Sequence, residues 1–301
     1  MDARPAPLTA YRTSPSVAAT VRSTHRPILL GALLMAAVLA GCSGAGSPPR
    51  GNFDIGGRTL FIECHGSGTP VIVLESIDGY GTGPNSAALA AKLSGEATVC
   101  RYDRAGLGRS DPAPAAPRSL HDLVDDLAKL LQAAAVPGPY LLVGPGLAGG
   151  ELALGYALLH TDRVAGLVIL DTDLPTTDPA RQPLAGLLTQ AQRDDYYLGA
   201  SGALAWQAEV AALVHPISVL VRVATATQPD ILCPDSWGQV VCTQALARHL
   251  EFAADWRQVN PEAVLARDDV LPAFRLADEA AAQEILAALE SVRRTSEPTG
   301  S

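Results

Sequence analysis

The chain has 301 residues, and Asp and Glu outnumber Lys and Arg by 31 to 22, a formal charge of −9 at pH 7. That balance excludes a nucleic-acid binder of the usual cationic kind, because affinity for a phosphate backbone rests on clustered Lys and Arg. With 48% of its residues apolar, the chain can bury a sizeable core, which argues against a disordered polypeptide.

The N-terminal stretch reads as a targeting segment. Arg22 and Arg26 precede an apolar run, residues 28–39, closed by Leu39-Ala40-Gly41-Cys42. A basic region, a short apolar region and a small-residue cleavage site make a signal peptide. The run is too short for a membrane span of about 20 residues. Leu-Ala-Gly-Cys matches the lipobox of bacterial lipoproteins, whose cysteine is lipidated and becomes the new N-terminus. Residues 1–41 are therefore expected to be removed, with Cys42 holding the exported protein on the membrane through its lipid. A plain secretory peptide with a chance cysteine is the alternative. Loss of four Arg and one Asp moves the charge from −9 to −12, so the lipid and not a basic patch would hold the body at the membrane.

Residues 42–51, rich in Gly, Ser and Pro, read as a flexible tether. Residues 52–301 suit one α/β domain with a cap. Residues 53–55 and 59–64 flank Gly56-Gly57 as a hairpin. Residues 71–74, Val-Ile-Val-Leu, are wholly apolar, as in a central parallel strand. The loop after it, residues 75–79, carries Glu75, Ser76, Ile77 and Asp78. Its two carboxylates either oppose a developing oxyanion or point to solvent. A helix is predicted over 85–93 and a strand over 97–102.

Ser119 starts the next helix, with Asp122 as its capping-box partner. Leu120, Leu123, Leu127 and Leu131 recur at helical spacing and face the core, leaving His121 on the surface. Residues 140–143 then form a short buried strand, a glycine-rich turn follows, and 147–160 reads as a helix. Strand, sharp turn and helix are the setting of a G-x-S-x-G nucleophile elbow. Here Gly144 and Ala148 frame Gly146, which has no side chain. The strand at 164–170 ends in Asp171, which either caps a turn or acts as an acid. Residues 172–215 read as the cap, with Tyr196, Tyr197, Leu198, Leu204 and Trp206 lining a pocket or packing the cap down. A strand at 217–224 precedes Asp230, and a helix is predicted over 278–292.

In order and spacing these motifs resemble the α/β-hydrolase family, and most closely its secreted, lipid-anchored members from high-GC actinobacteria. The resemblance covers about 120 residues: the apolar strand at 71–74, the loop R-Y-D-R-A-G-L-G-R-S-D at 101–111, the elbow at 141–150, and H-T-D-R-V-A-G-L-V-I-L-D at 160–171. It implies an α/β fold with a mostly parallel sheet between helices. It also implies roles: Gly146 at the nucleophile position, Asp171 or Asp230 as acid, and Ser76, Ile77 and Leu147 at the oxyanion loop. The base belongs just before the last helix, where Pro272 stands. The last histidine, His249, falls some twenty residues too early. Relatives carry cysteines near Cys64 and Cys100, which favours that disulfide, with Cys233 and Cys242 as a second. Four buried free thiols are the alternative.

No C-x-x-C pair or clustered His suggests a metal site, and no cofactor is implied. The expected protein is a hydrolase-like fold without nucleophile or base, retaining a pocket for a small apolar or ester-like ligand or a protein partner. One alternative is an active hydrolase using Ser76 or a bound water, helped by Glu75, Asp171, Asp230 or His249. Another is an interaction protein with a closed pocket.

Overall fold

A computed structural model describes residues 47–76, 81–115, 117–178, 203–226, 239–268 and 279–296, though not the side chains of 203–205, 226, 267 and 268. The chain divides into two compact units, Met1–Ser47 and Pro48–Ser301, and every described element belongs to the second. The predicted signal peptide and Cys42 lie outside the described residues.

Strands β1 (Arg50–Asp54) and β2 (Thr59–His65) form the expected hairpin. The tether ends earlier than its composition suggests. Arg50 and Gly51 already pair with Glu63 and Ile62, because a partner strand can order a polar Gly-containing segment that reads locally as linker. Next come β3 (Val71–Leu74), helix α1 (Pro84–Leu93) and β4 (Val99–Tyr102). They are followed by α2 (Leu120–Ala133), β5 (Tyr140–Pro145), α3 (Gly146–Leu159) and β6 (Val164–Leu170). Then come α4 (Ala203–Leu213), β7 (Leu220–Ala226), α5 (Gln239–Phe252), β8 (Val264–Asp268) and α6 (Glu279–Ser296). The strands lie in the order β1-β2-β4-β3-β5-β6-β7-β8. β1, β2 and β4 pair antiparallel, and β4 through β8 run parallel.

The parallel strands are apolar on both faces because helices cover both. Val71, Val73, Tyr140 and Leu142 join one core with residues of α2, α3 and α4. Their neighbours Ile72, Leu74, Leu141 and Val143 join a second core with α1 and α6. Alternation along each strand assigns successive side chains to opposite layers. Ser119 caps α2 as its sequence predicts: its hydroxyl accepts from the Asp122 amide, and the Asp122 carboxylate accepts from the Ser119 amide. Cys64 and Cys100 face each other across β2 and β4 and form the disulfide that the resemblance implied. Cys242 is also disulfide-bonded, and its expected partner Cys233 lies outside the described residues.

In the C-terminal part of the stretch read as a cap, 172–215, the described side chains pack down onto the body. Trp206 is buried, its indole N–H donates to the Arg118 carbonyl at 3.1 Å, and the Glu209 carboxylate accepts from the Leu120 amide at 2.8 Å. Helix α4 packs against α2 and α3, with its aromatic anchor buried in the core. Tyr196, Tyr197, Leu198 and the Leu204 side chain lie outside the described residues.

Candidate functional site

In an open parallel sheet the chemistry-bearing side chains collect where strands end, at the carboxyl edge. Here β3 ends in Glu75-Ser76, β4 in Asp103-Arg104, β5 in Gly146, and β6 in Asp171-Thr172-Asp173. The turn from β5 into α3 has the shape of an elbow. Gly146 has φ +60, a left-handed conformation that costs an L side chain about 1–2 kcal/mol and glycine little. A Cβ on Gly144 would lie 2.6 Å from the Gly149 carbonyl oxygen, so strand and helix approach as closely as only glycine permits. The Thr172 hydroxyl donates to the Gly146 carbonyl at 2.7 Å, which pins the turn to the end of β6. The turn is tight and left-handed at Gly146, and its tip carries no side chain.

Beside the elbow, the loop after β3 turns inward. Glu75 is 0% exposed and Ser76 2%, so the solvent-facing alternative for Glu75 is wrong. The Glu75 amide bonds the Val143 carbonyl at 2.9 Å, and this extension of the β3–β5 pairing draws its carboxylate into the protein. The Tyr102 hydroxyl donates to Glu75 Oε2 at 2.7 Å. Burial pushes the Glu75 carboxyl up to about 7, against the opposing pull of the Arg104 charge and the bonds from Tyr102 and the Ser76 amide. Burial beside Glu75 also raises the Tyr102 phenol well above its usual range. Arg104 is 6% exposed. Glu75 Oε1, Ser76 Oγ and Arg104 Nη1 have no hydrogen-bond partner among the described residues.

The loop at 103–111 is held by its own motif residues. The Asp103 carboxylate accepts from the amides of Thr82 and Arg109. Ser110 Oγ donates to the Asp103 carbonyl and accepts from the Phe61 amide. Asp111 accepts from the amide and hydroxyl of Thr59. These polar residues fix the loop against the hairpin, and that placement buries Arg104 next to Glu75.

At the end of β6 lies an arrangement that no local pattern announces. Asp171 turns the chain with φ +58, a conformation Asp tolerates better than most side chains. His249, from α5, lies between two carboxylates: Nε2 is 2.9 Å from Asp171 Oδ1, and Nδ1 is 2.7 Å from Asp173 Oδ1. Burial by itself would lower the imidazole, but the two carboxylates prevail and raise it to about 10. Burial in turn raises Asp173, partly offset by His249. Trp256 closes the group, donating its indole N–H to the Thr172 carbonyl at 3.0 Å. His249 is therefore an imidazolium at neutral pH, with both N–H groups donating. An imidazole in that state has no lone pair with which to take a proton.

The structure thus brings together Gly146, Ser76, Leu147 and Asp171 at one edge, with Leu147 half-buried in the first turn of α3. Ile77, Asp230 and Pro272 lie outside the described residues. Tyr102, Arg104, Thr172, Asp173 and Trp256 were not singled out from sequence. For Asp173 the D-T-D spacing at a strand end was the available signal. Among the described residues, no group of His, Cys, Asp and Glu could hold a metal ion.

A protein-family model described as the alpha/beta hydrolase fold matches residues 61–262. The "Putative carbamate hydrolase RutD" of Azorhizobium caulinodans is 35% identical over 119 residues, 38% of this chain and 42% of that protein. The chain spans less than half the length of the first curated relatives it matches. Among solved structures, a malate-bound thermophilic esterase from Thermogutta terrifontis superposes with TM-score 0.56 at 19% identity, over 81% of this chain and 98% of that one. The meta-cleavage product hydrolase CumD of Pseudomonas fluorescens, complexed with acetates, gives TM-score 0.55 at 16% identity over 83% and 99%. At such identities these two speak for the fold alone.

Proposed function

Because the chain belongs to the α/β-hydrolase family, we propose that it is a cell-envelope lipoprotein whose hydrolase fold binds a small apolar or ester-like ligand, or a partner, without cleaving it. The observation that carries this is the elbow tip. Gly146 has φ +60, the left-handed backbone an elbow tip would take, and offers no attacking atom. Loss of a serine nucleophile costs on the order of 10⁶ in kcat in a serine protease. The only histidine near this edge among the described residues is doubly bonded and protonated. No histidine follows it in the chain, so a base before α6 is missing as well.

The test is hydrolysis of p-nitrophenyl butyrate by residues 43–301, which contain every described element. The natural sequence is expected to be inert. A Gly146→Ser/Pro272→His variant is expected to gain measurable turnover if the remaining groups are still in place. The lipoprotein part is tested by palmitate labelling in a bacterial host, where label on the natural chain and none on Cys42→Ser is the expected pattern. Unlabelled natural chain would reduce the leader to an ordinary signal peptide.

A second reading is favoured by Glu75, a buried carboxyl raised to about 7 and placed to activate a water. It predicts natural turnover with one inflection near pH 7, abolished in Glu75→Gln. That result would displace the inactive reading.

A further inference from the structure

The loop after β3 and the start of the loop after β4 carry a polar group that the fold leaves unfinished. Among the described residues, three side-chain atoms there are buried without hydrogen-bond partners: Glu75 Oε1, Ser76 Oγ and Arg104 Nη1. Such orphans are uncommon, because each costs the desolvation of a polar group with no bond in return. They lie on the ends of adjacent strands, β3 and β4. Glu75 and Ser76 are consecutive, and the Arg104 charge acts directly on Glu75. The Ser76 carbonyl oxygen lies 3.4 Å from where a Cβ on Gly149 would stand, in the first turns of α3. The group therefore flanks the elbow, whose tip is the empty position at Gly146.

The atoms also state what would satisfy them. Arg104 Nη1 can only donate, and Ser76 Oγ can do either. Glu75 Oε2 already accepts from Tyr102, so the free capacity of the carboxylate is at Oε1, where it accepts. An ester has no N–H or O–H for Oε1. A carboxylate ligand has none either, and it would meet the charge of Glu75. A carboxamide or carbamate offers an N–H beside a C=O, one for Glu75 and the other for Arg104 or Ser76.

The geometry points to a binding subsite at Glu75, Ser76 and Arg104 for a small neutral ligand bearing an amide-type group, a C=O acceptor adjacent to an N–H donor. It rests on the ligand-binding reading above and replaces the ester-like head group named there with an amide-type one. Glu75 selects for the N–H, and Arg104 and Ser76 take the carbonyl.

The subsite is tested on the full chain with two probes that share one acyl chain, hexanamide and methyl hexanoate. Binding is measured at pH 8 by ligand-observed NMR, where Glu75 is mostly ionised. The natural chain should bind hexanamide about tenfold tighter or more, the worth of one hydrogen bond to a charged group. Glu75→Gln should reverse that order. Its oxygen will face the Tyr102 hydroxyl, which places the new NH₂ where Oε1 was and opposes donor to donor. Ser76→Ala, which removes a hydroxyl without a partner, should weaken hexanamide by several-fold and leave the fold intact. Equal affinity of the natural chain for both probes would overturn the subsite but not ligand binding, the three atoms then being satisfied by buried water. An order of preference unchanged in a folded Glu75→Gln variant would overturn it too. Failure of both probes to bind would overturn the subsite together with the ligand-binding reading.

Discussion

Replacing His249 with alanine is expected to lower the unfolding free energy by about 3–5 kcal/mol at neutral pH, the usual cost of removing one partner from a buried ionic group. The imidazolium bonds both Asp171 and Asp173, and its side chain is 7% exposed. Without it the Asp171 side chain, 3% exposed, stays buried and loses its imidazolium. The effect has a pH signature of definite sign. The folded imidazole is raised to about 10 from an ordinary 6.5. Its contribution is therefore complete below about pH 6.5 and is lost as pH rises through about 10. Urea unfolding at pH 7, 8.5 and 10, followed by fluorescence of the buried Trp256, should show the gap between natural chain and variant closing with pH. A gap that stays constant would mean that His249 contributes packing alone. A variant as stable as the natural chain at pH 7 would show that the two carboxylates do not need it. His249→Gln, which keeps two polar contacts without charge, should fall between the two.

The parts of this fold that were legible in sequence are those specified by neighbours. Four apolar residues and a glycine-rich turn announced β5 and its elbow. Ser119 and Asp122 announced the start of α2, and residues 164–170 were read as the strand that β6 is. Each depends on contacts a few residues apart or on apolar runs with clear ends. Helix α5 and strand β8 were not foreseen. β8 is an edge strand whose first residue, Val264, is 44% exposed, and a half-exposed edge gives little periodic contrast. The His249 group was illegible for a different reason. Asp171 and His249 are 78 positions apart, and only the packing of α5 across the end of β6 unites them. Reading His249 against the usual place of a base, before the last helix, gave no hint of its two carboxylates. Glu75 was ambiguous because one charged residue at the end of an apolar strand can turn either way. Its direction is set by the amide bond to Val143 and by Tyr102, which approaches from the adjacent strand.

At Glu75 charge and stability oppose each other, and its neutral isostere measures by how much. The folded carboxyl is raised to about 7 from 4.5. Its favourable contribution is thus complete below pH 4.5 and is lost as pH rises through about 7. At pH 4 the natural chain carries a neutral acid at this position, and Glu75→Gln should be nearly as stable. Above pH 7 the natural chain must keep a carboxylate that is 0% exposed, whereas the amide pays nothing. The displacement of the titration corresponds to roughly 3 kcal/mol. The variant should therefore gain about that much over the natural chain between pH 4 and pH 8, read as a divergence of the two urea midpoints. Titrations elsewhere in the protein cancel in the difference, so a flat difference across that range would mean that Glu75 is solvated or paired more fully than its surroundings indicate. Retaining a group that weakens the fold at neutral pH is what a site held for binding would do. Arg104 and Tyr102 already moderate the cost, and Oε1, without a hydrogen-bond partner among the described residues, is where a ligand N–H would bond.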